Sequence, residues 1–269
     1  MTDLTLDGVS YRYPGGTLAL EGVTLQIGAG ERVALIGQNG SGKTTLVRHL
    51  NGLLRPTSGR VLHDGTDVAG RTVAQLARSV GLAFQDPDRQ IFRGTVRGEV
   101  EFGPRNLGRR GGALRGAVDA ALADVGLEAE AGTNPYDLGA SRRKLLALAS
   151  VQAMGTSVLV LDEPTTGQDL RGVEIVKRVI ANANGRGHTV IAISHDMGFV
   201  AESFDRVVVL RGGTVILDGT PASAFAEPSW EALRSTYLEP PLPAVLGSRL
   251  DLGPTPTEDA FLAALAAAP

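Results

Sequence analysis

Two kinds of apolar pattern alternate along the chain. Leu4-Thr5-Leu6, Val23-Thr24-Leu25-Gln26-Ile27 and Gly59-Arg60-Val61-Leu62 place every second side chain on one face, the mark of half-buried strands joined by short turns. They predict a small antiparallel sheet. Val80 to Phe84, Val158 to Leu161 and Val190 to Ile193 are apolar throughout, which predicts strands covered on both faces, as in a parallel sheet flanked by helices. Residues 86 to about 155 read as largely helical, with Leu114 to Val125 and Ser141 to Met154 the clearest segments. Arg206 to Leu210 and Thr214 to Leu217, split by Gly212-Gly213, form a hairpin signal. After Thr220 the pattern changes. Pro221, Pro228, Pro240, Pro241 and Pro243 punctuate a tail that ends in a short alanine-rich helix from about Thr257.

At 269 residues with 43% hydrophobic content, the chain can build one large domain or two small ones. No apolar stretch approaches the ~20 residues needed to cross a bilayer, and Met1-Thr2-Asp3-Leu4 lacks a basic segment followed by an apolar one. The expectation is a cytosolic chain. A formal charge of -3 without a basic block argues against a nucleic-acid surface. Zero cysteines exclude disulfides, thiol catalysis and cysteine zinc sites. A metal, if used, should be Mg²⁺ held by oxygen.

The strongest chemical signal is Gly37-Gln38-Asn39-Gly40-Ser41-Gly42-Lys43-Thr44-Thr45, preceded by the strand-like Arg32 to Ile36 and followed by the helix-compatible Leu46 to Leu50. That is the context a P-loop requires. Gly37, Gly40 and Gly42 lack the β-carbons that would hold backbone amides away from phosphate oxygens, while the following helix presents its positive end. Asn39, Ser41 and Thr45 complete the cradle. Lys43 would reach the β- and γ-phosphates of a nucleoside triphosphate, and the Thr44 hydroxyl is placed for Mg²⁺.

Other candidates lie at the ends of the apolar runs. Val158 to Leu161 leads into Asp162 and Glu163, and strand ends of this kind gather at the ligand side of parallel sheets. Asp162 suits the Mg²⁺ shell. Glu163 is placed to orient or deprotonate an attacking water. His195 follows Thr189 to Ser194 and suits the γ-phosphate or the same water. Gln85 follows Val80 to Phe84, where an amide can serve both metal and water.

In order and spacing, Gly37 to Thr45, Gln85, Leu161-Asp162-Glu163-Pro164, the turn Thr166-Gly167-Gln168-Asp169 and His195 resemble the ATP-binding cassette (ABC) ATPases over about residues 3 to 220. The resemblance implies an α/β P-loop fold: a parallel core sheet, a small antiparallel β-subdomain and a helical subdomain at about 86–155 within residues 1–220. An accessory region at 221–269 follows. It implies ATP and Mg²⁺ as ligands, and Asp169 as the residue of the D-loop. Tyr13 takes the place of the aromatic that stacks on adenine, with Tyr11 as the second candidate.

A narrower likeness is carried by Phe84-Gln85-Asp86-Pro87-Asp88-Arg89-Gln90-Ile91-Phe92, by Glu101-Phe102-Gly103-Pro104-Arg105-Asn106-Leu107-Gly108 and by Leu238-Glu239-Pro240-Pro241. These segments are similar to the ATPase subunits of energy-coupling-factor (ECF) importers of vitamins, cobalt or nickel. By that likeness a helix around Asp86 to Phe92 forms a groove for a membrane-embedded coupling subunit. A substrate-binding membrane subunit is reached indirectly, the tail contributes to pairing of two ATPases, and the protein lies on the inner face of the cell membrane.

One motif departs from the family. Its signature loop, Leu-Ser-Gly-Gly-Gln, faces the γ-phosphate bound by a partner subunit, and this chain has Leu138-Gly139-Ala140-Ser141-Arg142 there. The serine hydroxyl is missing at Gly139. Ala140 and Ser141 add β-carbons where bare backbone is needed, and Arg142 replaces the glutamine. The mismatch predicts a heterodimer with a second cassette that carries an intact signature. Two alternatives remain at this stage: a non-transport ABC ATPase, and a mainly regulatory nucleotide-binding subunit.

Overall fold

The alternating pattern near the N-terminus becomes a four-stranded antiparallel sheet. In the computed structural model, which describes residues 2–268, the chain forms two units: Asp3–Gly70 with Ile193 onward, and Arg71–Ala192 with Thr2. The first stretch holds β1 (Leu4–Arg12), β2 (Leu18–Ile27), β3 (Arg32–Ile36), α1 (Lys43–Leu50), β4 (Ser58–His63) and β5 (Thr66–Asp67). The sheet runs β2-β1-β4-β5. Leu4 faces Ile27 and Leu6 faces Leu25 across β1 and β2, so the register puts these buried apolar residues on one face. β3 belongs to the other pattern, with Val33 to Ile36 wholly buried.

The middle of the chain contains α2 (Val73–Leu76), β6 (Val80–Ala83), α3 (Val96–Asn106), α4 (Gly111–Val125), α5 (Ala140–Gln152), β7 (Val158–Asp162), α6 (Leu170–Gly185) and β8 (Thr189–Ile193). β6 runs parallel to β7 from Val80 opposite Val158 to Ala83 opposite Leu161, and β8 borders β7 on its other side. Continuous burial of β7 and β8 matches their unbroken apolar runs. The two helices foreseen from the sequence are α4 and α5. α4 stops where Gly126 adopts a left-handed φ of 68°.

The helix expected around Asp86 to Phe92 does not form. Only Pro87–Arg89 makes a 3₁₀ turn, with Asp86 capping the Asp88 amide at 3.1 Å. Side chains take the place of a helical ladder around it. Oε1 of Gln90 accepts the Phe84 amide at 3.1 Å, and Oε2 of Glu99 accepts the amides of Phe92 and Arg93 at 3.0 and 2.8 Å. Nε2 of Gln90 pins the segment to α5 through the Ala147 carbonyl and the Ser150 hydroxyl. Polar groups paired in this way have no need of helix.

The final stretch returns to the first unit with α7 (Met197–Ser203), β9 (Arg206–Arg211), β10 (Thr214–Gly219), α8 (Pro221–Ala224), α9 (Trp230–Arg234), α10 (Leu242–Arg249) and α11 (Glu258–Ala267). β9 is parallel to β3 and antiparallel to β10. Arg206 fastens them, with both Asp218 oxygens at 2.7 Å, Glu31 at 2.9 Å and the Gln26 carbonyl at 2.9 Å. Several tail prolines that read as breakers are helix starters instead: Pro221 opens α8, Pro228 lies in a 3₁₀ turn and Pro243 is in the first turn of α10. Thr257 caps α11 through the Ala260 amide. Among the described residues no helix is long and apolar enough to cross a membrane.

Candidate functional site

In the first unit the buried strand β3 delivers the chain to Gly37, and α1 starts six residues later with Gly42 as its N-cap. Gly37 and Gly42 have φ of 144° and 106°, which side chains rarely adopt. A β-carbon on Gly37 would stand 2.1 Å from the Leu210 carbonyl oxygen, and one on Gly42 would stand 2.6 Å from that of Ala19. These glycines therefore seat the loop against its own β9 and β2, a role the phosphate-cradle reading does not supply. Gly40 is exposed and open, as is Asn39, whereas Ser41 is buried. Lys43 is only 6% exposed, and its ammonium donates to the carbonyls of Gly37 at 2.5 Å and Gln38 at 2.9 Å. The cation lies over the loop it follows. Thr44 remains partly accessible.

Tyr13 is tied to the end of that run, its phenol 3.0 Å from Oγ1 of Thr45. Its ring stands edge-on to Tyr11, centroids 4.9 Å apart, and Tyr11 packs in turn against His49 at 5.0 Å. Tyr11 is thus held between two rings. His195 follows the buried Ser194, and Asp196 beside it caps α7 through the Phe199 amide at 3.0 Å. Burial of the imidazole, reinforced by the charge of Lys43, lowers the His195 pKa. The ring is neutral at pH 7 and can accept a hydrogen bond from water.

The second unit carries the acids. β7 ends at Asp162, and Asp162 and Glu163 are 6% and 5% exposed. Glu163 has a left-handed φ of 52°, a conformation costing a side-chain-bearing residue roughly 1–2 kcal/mol and concentrated at functional sites. The Thr166 hydroxyl donates to Oε2 of Glu163 at 3.1 Å, and Nζ of Lys144 donates to the carbonyls of Glu163 and Thr166, each at 2.8 Å. Gln85 is exposed two residues beyond β6. Asp169 caps α6 by accepting the Gly172 amide at 2.8 Å.

The departing motif opens α5. Gly139 is its N-cap and offers no side-chain oxygen, and Ala140 is exposed. The Ser141 hydroxyl donates to Oε1 of Gln168 at 2.6 Å, while Nε2 of Gln168 donates to the Ser141 carbonyl at 3.1 Å. Arg142 turns to Glu130 at 2.5 Å and to the Gly126 carbonyl at 2.9 Å.

Each unit therefore gathers part of the expected set: the loop, Tyr13 and His195 in one, Gln85, Asp162, Glu163, Asp169 and the departing motif in the other. Lys144, Thr166 and Gln168 carry no motif that marks them in sequence as partners of Glu163 and Ser141. One signal was present. Only Lys43, Lys144 and Lys177 break an otherwise arginine-only set of permanently basic residues, and a lysine offers a compact three-donor group that arginine does not.

The ABC transporter family profile matches residues 20–166. The energy-coupling factor transporter ATP-binding protein EcfA of Methanothermobacter thermautotrophicus is 39% identical over 92% of this chain and 79% of its own. A candidate ABC transporter ATP-binding protein of Methanosarcina acetivorans is 44% identical over 92% of this chain, which spans only 40% of that relative's length. Among solved structures, CbiO1 of Clostridium perfringens, part of the ABC transporter complex cbiONQ, superposes with a TM-score of 0.76 at 36% identity, covering 92% of this chain and 98% of its own. The chain belongs to the ABC transporter family, as an ABC ATPase.

Proposed function

We propose that this chain binds and hydrolyses ATP to energise an ECF-type importer of a vitamin, cobalt or nickel, at the cytoplasmic face of the membrane. The likeness to EcfA and CbiO1 supports the transporter class. Lys43 holds the β- and γ-phosphates, the loop from Gly37 to Thr45 wraps them, and Tyr13 stacks on the base. Bound Mg²⁺ would neutralise charge developing on the phosphates. Thr44, Asp162 and Gln85 offer it oxygen, the donor type it prefers, and Mg²⁺ takes only one or two protein carboxylates. Glu163 orients and deprotonates the attacking water, and neutral His195 accepts a hydrogen bond from that water or donates its ring N–H to the γ-phosphate.

The working assembly is a heterodimer. One observation carries this reading: the Ser141 hydroxyl, the sole hydroxyl in the departing motif, is engaged by Gln168 of its own chain at 2.6 Å. Gly139 supplies no replacement. Losing one preorganised donor to a developing charge costs about 10²- to 10³-fold in rate. A second cassette with an intact signature would complete the P-loop of this chain. The helical subdomain and the segment from Asp86 to Phe92 would meet the membrane-embedded coupling subunit, and through it the substrate-binding subunit.

The test is turnover of the purified full chain against turnover after mixing with its partner cassette. MgATP should bind in both cases and be hydrolysed rapidly only in the second. Rapid hydrolysis by the chain alone overturns the heterodimer.

A further inference from the structure

A half-buried lysine links α5 to the end of β7. Lys144 is half-buried, yet its ammonium is directed at two backbone oxygens, the carbonyls of Glu163 and Thr166, at 2.8 Å each. Thr166 closes the ring by donating its hydroxyl to Oε2 of Glu163 at 3.1 Å. The residue so held is the one with the left-handed backbone at φ 52°. A backbone in a sparsely populated region persists only where its surroundings fix it. Charge-assisted bonds from one ammonium to both ends of the turn are such a constraint.

We propose that Lys144 is a positioning residue for hydrolysis: by clamping the Glu163 and Thr166 carbonyls it fixes the turn that aims the Glu163 carboxylate at the attacking water. The role rests on the assignment of Glu163 as the general base. Lysine suits the place because its three donors radiate from one small atom, whereas the planar fork of arginine fits a carboxylate better than two diverging carbonyls. The contact also gives α5, whose first residues form the departing motif, a direct hold on the catalytic turn. A shift of α5 would therefore be felt at Glu163 in the same chain.

Steady-state ATP hydrolysis by the assembled transporter containing Lys144→Met, Lys144→Arg, Glu163→Gln or Lys144→Met with Glu163→Gln tests the clamp. ATP binding and thermal midpoint are measured on the same full-length variants. Lys144→Met should lower kcat by about 10- to 100-fold, the scale of an ångström-sized misplacement, with the KM for ATP and the nucleotide affinity unchanged. Lys144→Arg should recover part of the loss. Adding Lys144→Met to Glu163→Gln should cost nothing further, because there is no base left to aim. Normal kcat in Lys144→Met beside an inactive Glu163→Gln overturns the positioning role alone. So does a further loss of the same size when Lys144→Met is added to Glu163→Gln, or a loss that appears in KM and thermal midpoint and not in kcat. Full turnover by Glu163→Gln overturns the base assignment, and the role of Lys144 with it.

Discussion

The phenol of Tyr13 is hydrogen-bonded to the hydroxyl of Thr45 across 3.0 Å, so the aromatic proposed to meet the base is anchored to the loop proposed to hold the phosphates. Stacking of a base on an aromatic is worth about 1–3 kcal/mol by alanine substitution. Tyr13→Ala should therefore weaken MgATP binding to the full chain by roughly 5- to 150-fold on that scale, measured by isothermal titration. Tyr13→Phe keeps the ring and loses only the tether, so its affinity should stay within a few-fold. Stacking tolerates any base, and MgGTP should suffer from Tyr13→Ala as MgATP does. An equal loss in Tyr13→Phe and Tyr13→Ala would assign the effect to the tether and not the ring.

Gly37→Ala addresses the loop itself. The new β-carbon would lie 2.1 Å from the Leu210 oxygen in a backbone conformation of φ 144°, so both sterics and torsion oppose it. The Leu210 carbonyl belongs to the buried strand β9 and cannot swing away as a flexible side chain would. Destabilisation of more than about 2 kcal/mol is expected, in the range of overpacking added to backbone strain, read as a lowered thermal midpoint. Gly40→Ala has open space around its β-carbon but a φ of 79°, and should cost only the torsional part, about 1 kcal/mol.

These cases mark what the sequence made legible. The loop from Gly37 to Thr45 and the acids at the end of β7 were readable because their spacing reflects chain geometry: a strand, a tight turn, a helix. The strands were readable because period-two alternation and unbroken apolar runs report one-sided and two-sided burial. Asp86 to Phe92 departs from the helix that the family likeness implies, because the amides of Phe84, Phe92 and Arg93 are taken by Gln90 and Glu99. Such bonds reach six or seven residues along the chain and leave no periodic trace. Lys144 and Gln168 were missed for the same reason, since their partners lie 19 to 27 residues away. The tail prolines resemble interruptions because a breaker and an N-terminal helix residue look alike in sequence.

Acid should destabilise the protein through its histidines. Burial lowers the pKa of His49, against opposing bonds to the Thr45 and Arg55 carbonyls, and burial together with Lys43 lowers that of His195. The folded state thus binds fewer protons than the unfolded state, whose histidines titrate near 6.5. Stability contributed by these groups is complete above pH 6.5 and is lost as pH falls from there toward the folded values. The thermal midpoint should drop between pH 7.5 and 5.5. His49→Gln, which can retain a bond to the Thr45 carbonyl, should reduce that drop, and a drop of unchanged size would remove His49 from the account.

The strongest prediction reverses the departing motif. Gly139→Ser, Ala140→Gly, Ser141→Gly and Arg142→Gln together restore the family signature. The local cost is bearable. A β-carbon at Gly139 meets nothing within 4 Å, and serine at that N-cap adds an oxygen for the first turn of α5, a gain of a few tenths of a kcal/mol. Two glycines in the first turn cost about 0.5–1 kcal/mol each. Removing Arg142 gives up its pair with Glu130, which with side chains 42% and 31% exposed contributes about 1 kcal/mol or less. The fold should survive with a modestly lowered thermal midpoint. If a signature that cannot reach a partner's γ-phosphate is what limits two copies of this chain, the repaired protein should hydrolyse ATP alone at least about 100-fold faster than the parent, the scale of one regained donor. Glu163→Gln added to the repaired chain should abolish the gain, which ties the new activity to the P-loop half already present. A repaired chain that stays folded, binds MgATP and remains as slow as the parent would mean that the motif is not the limiting defect.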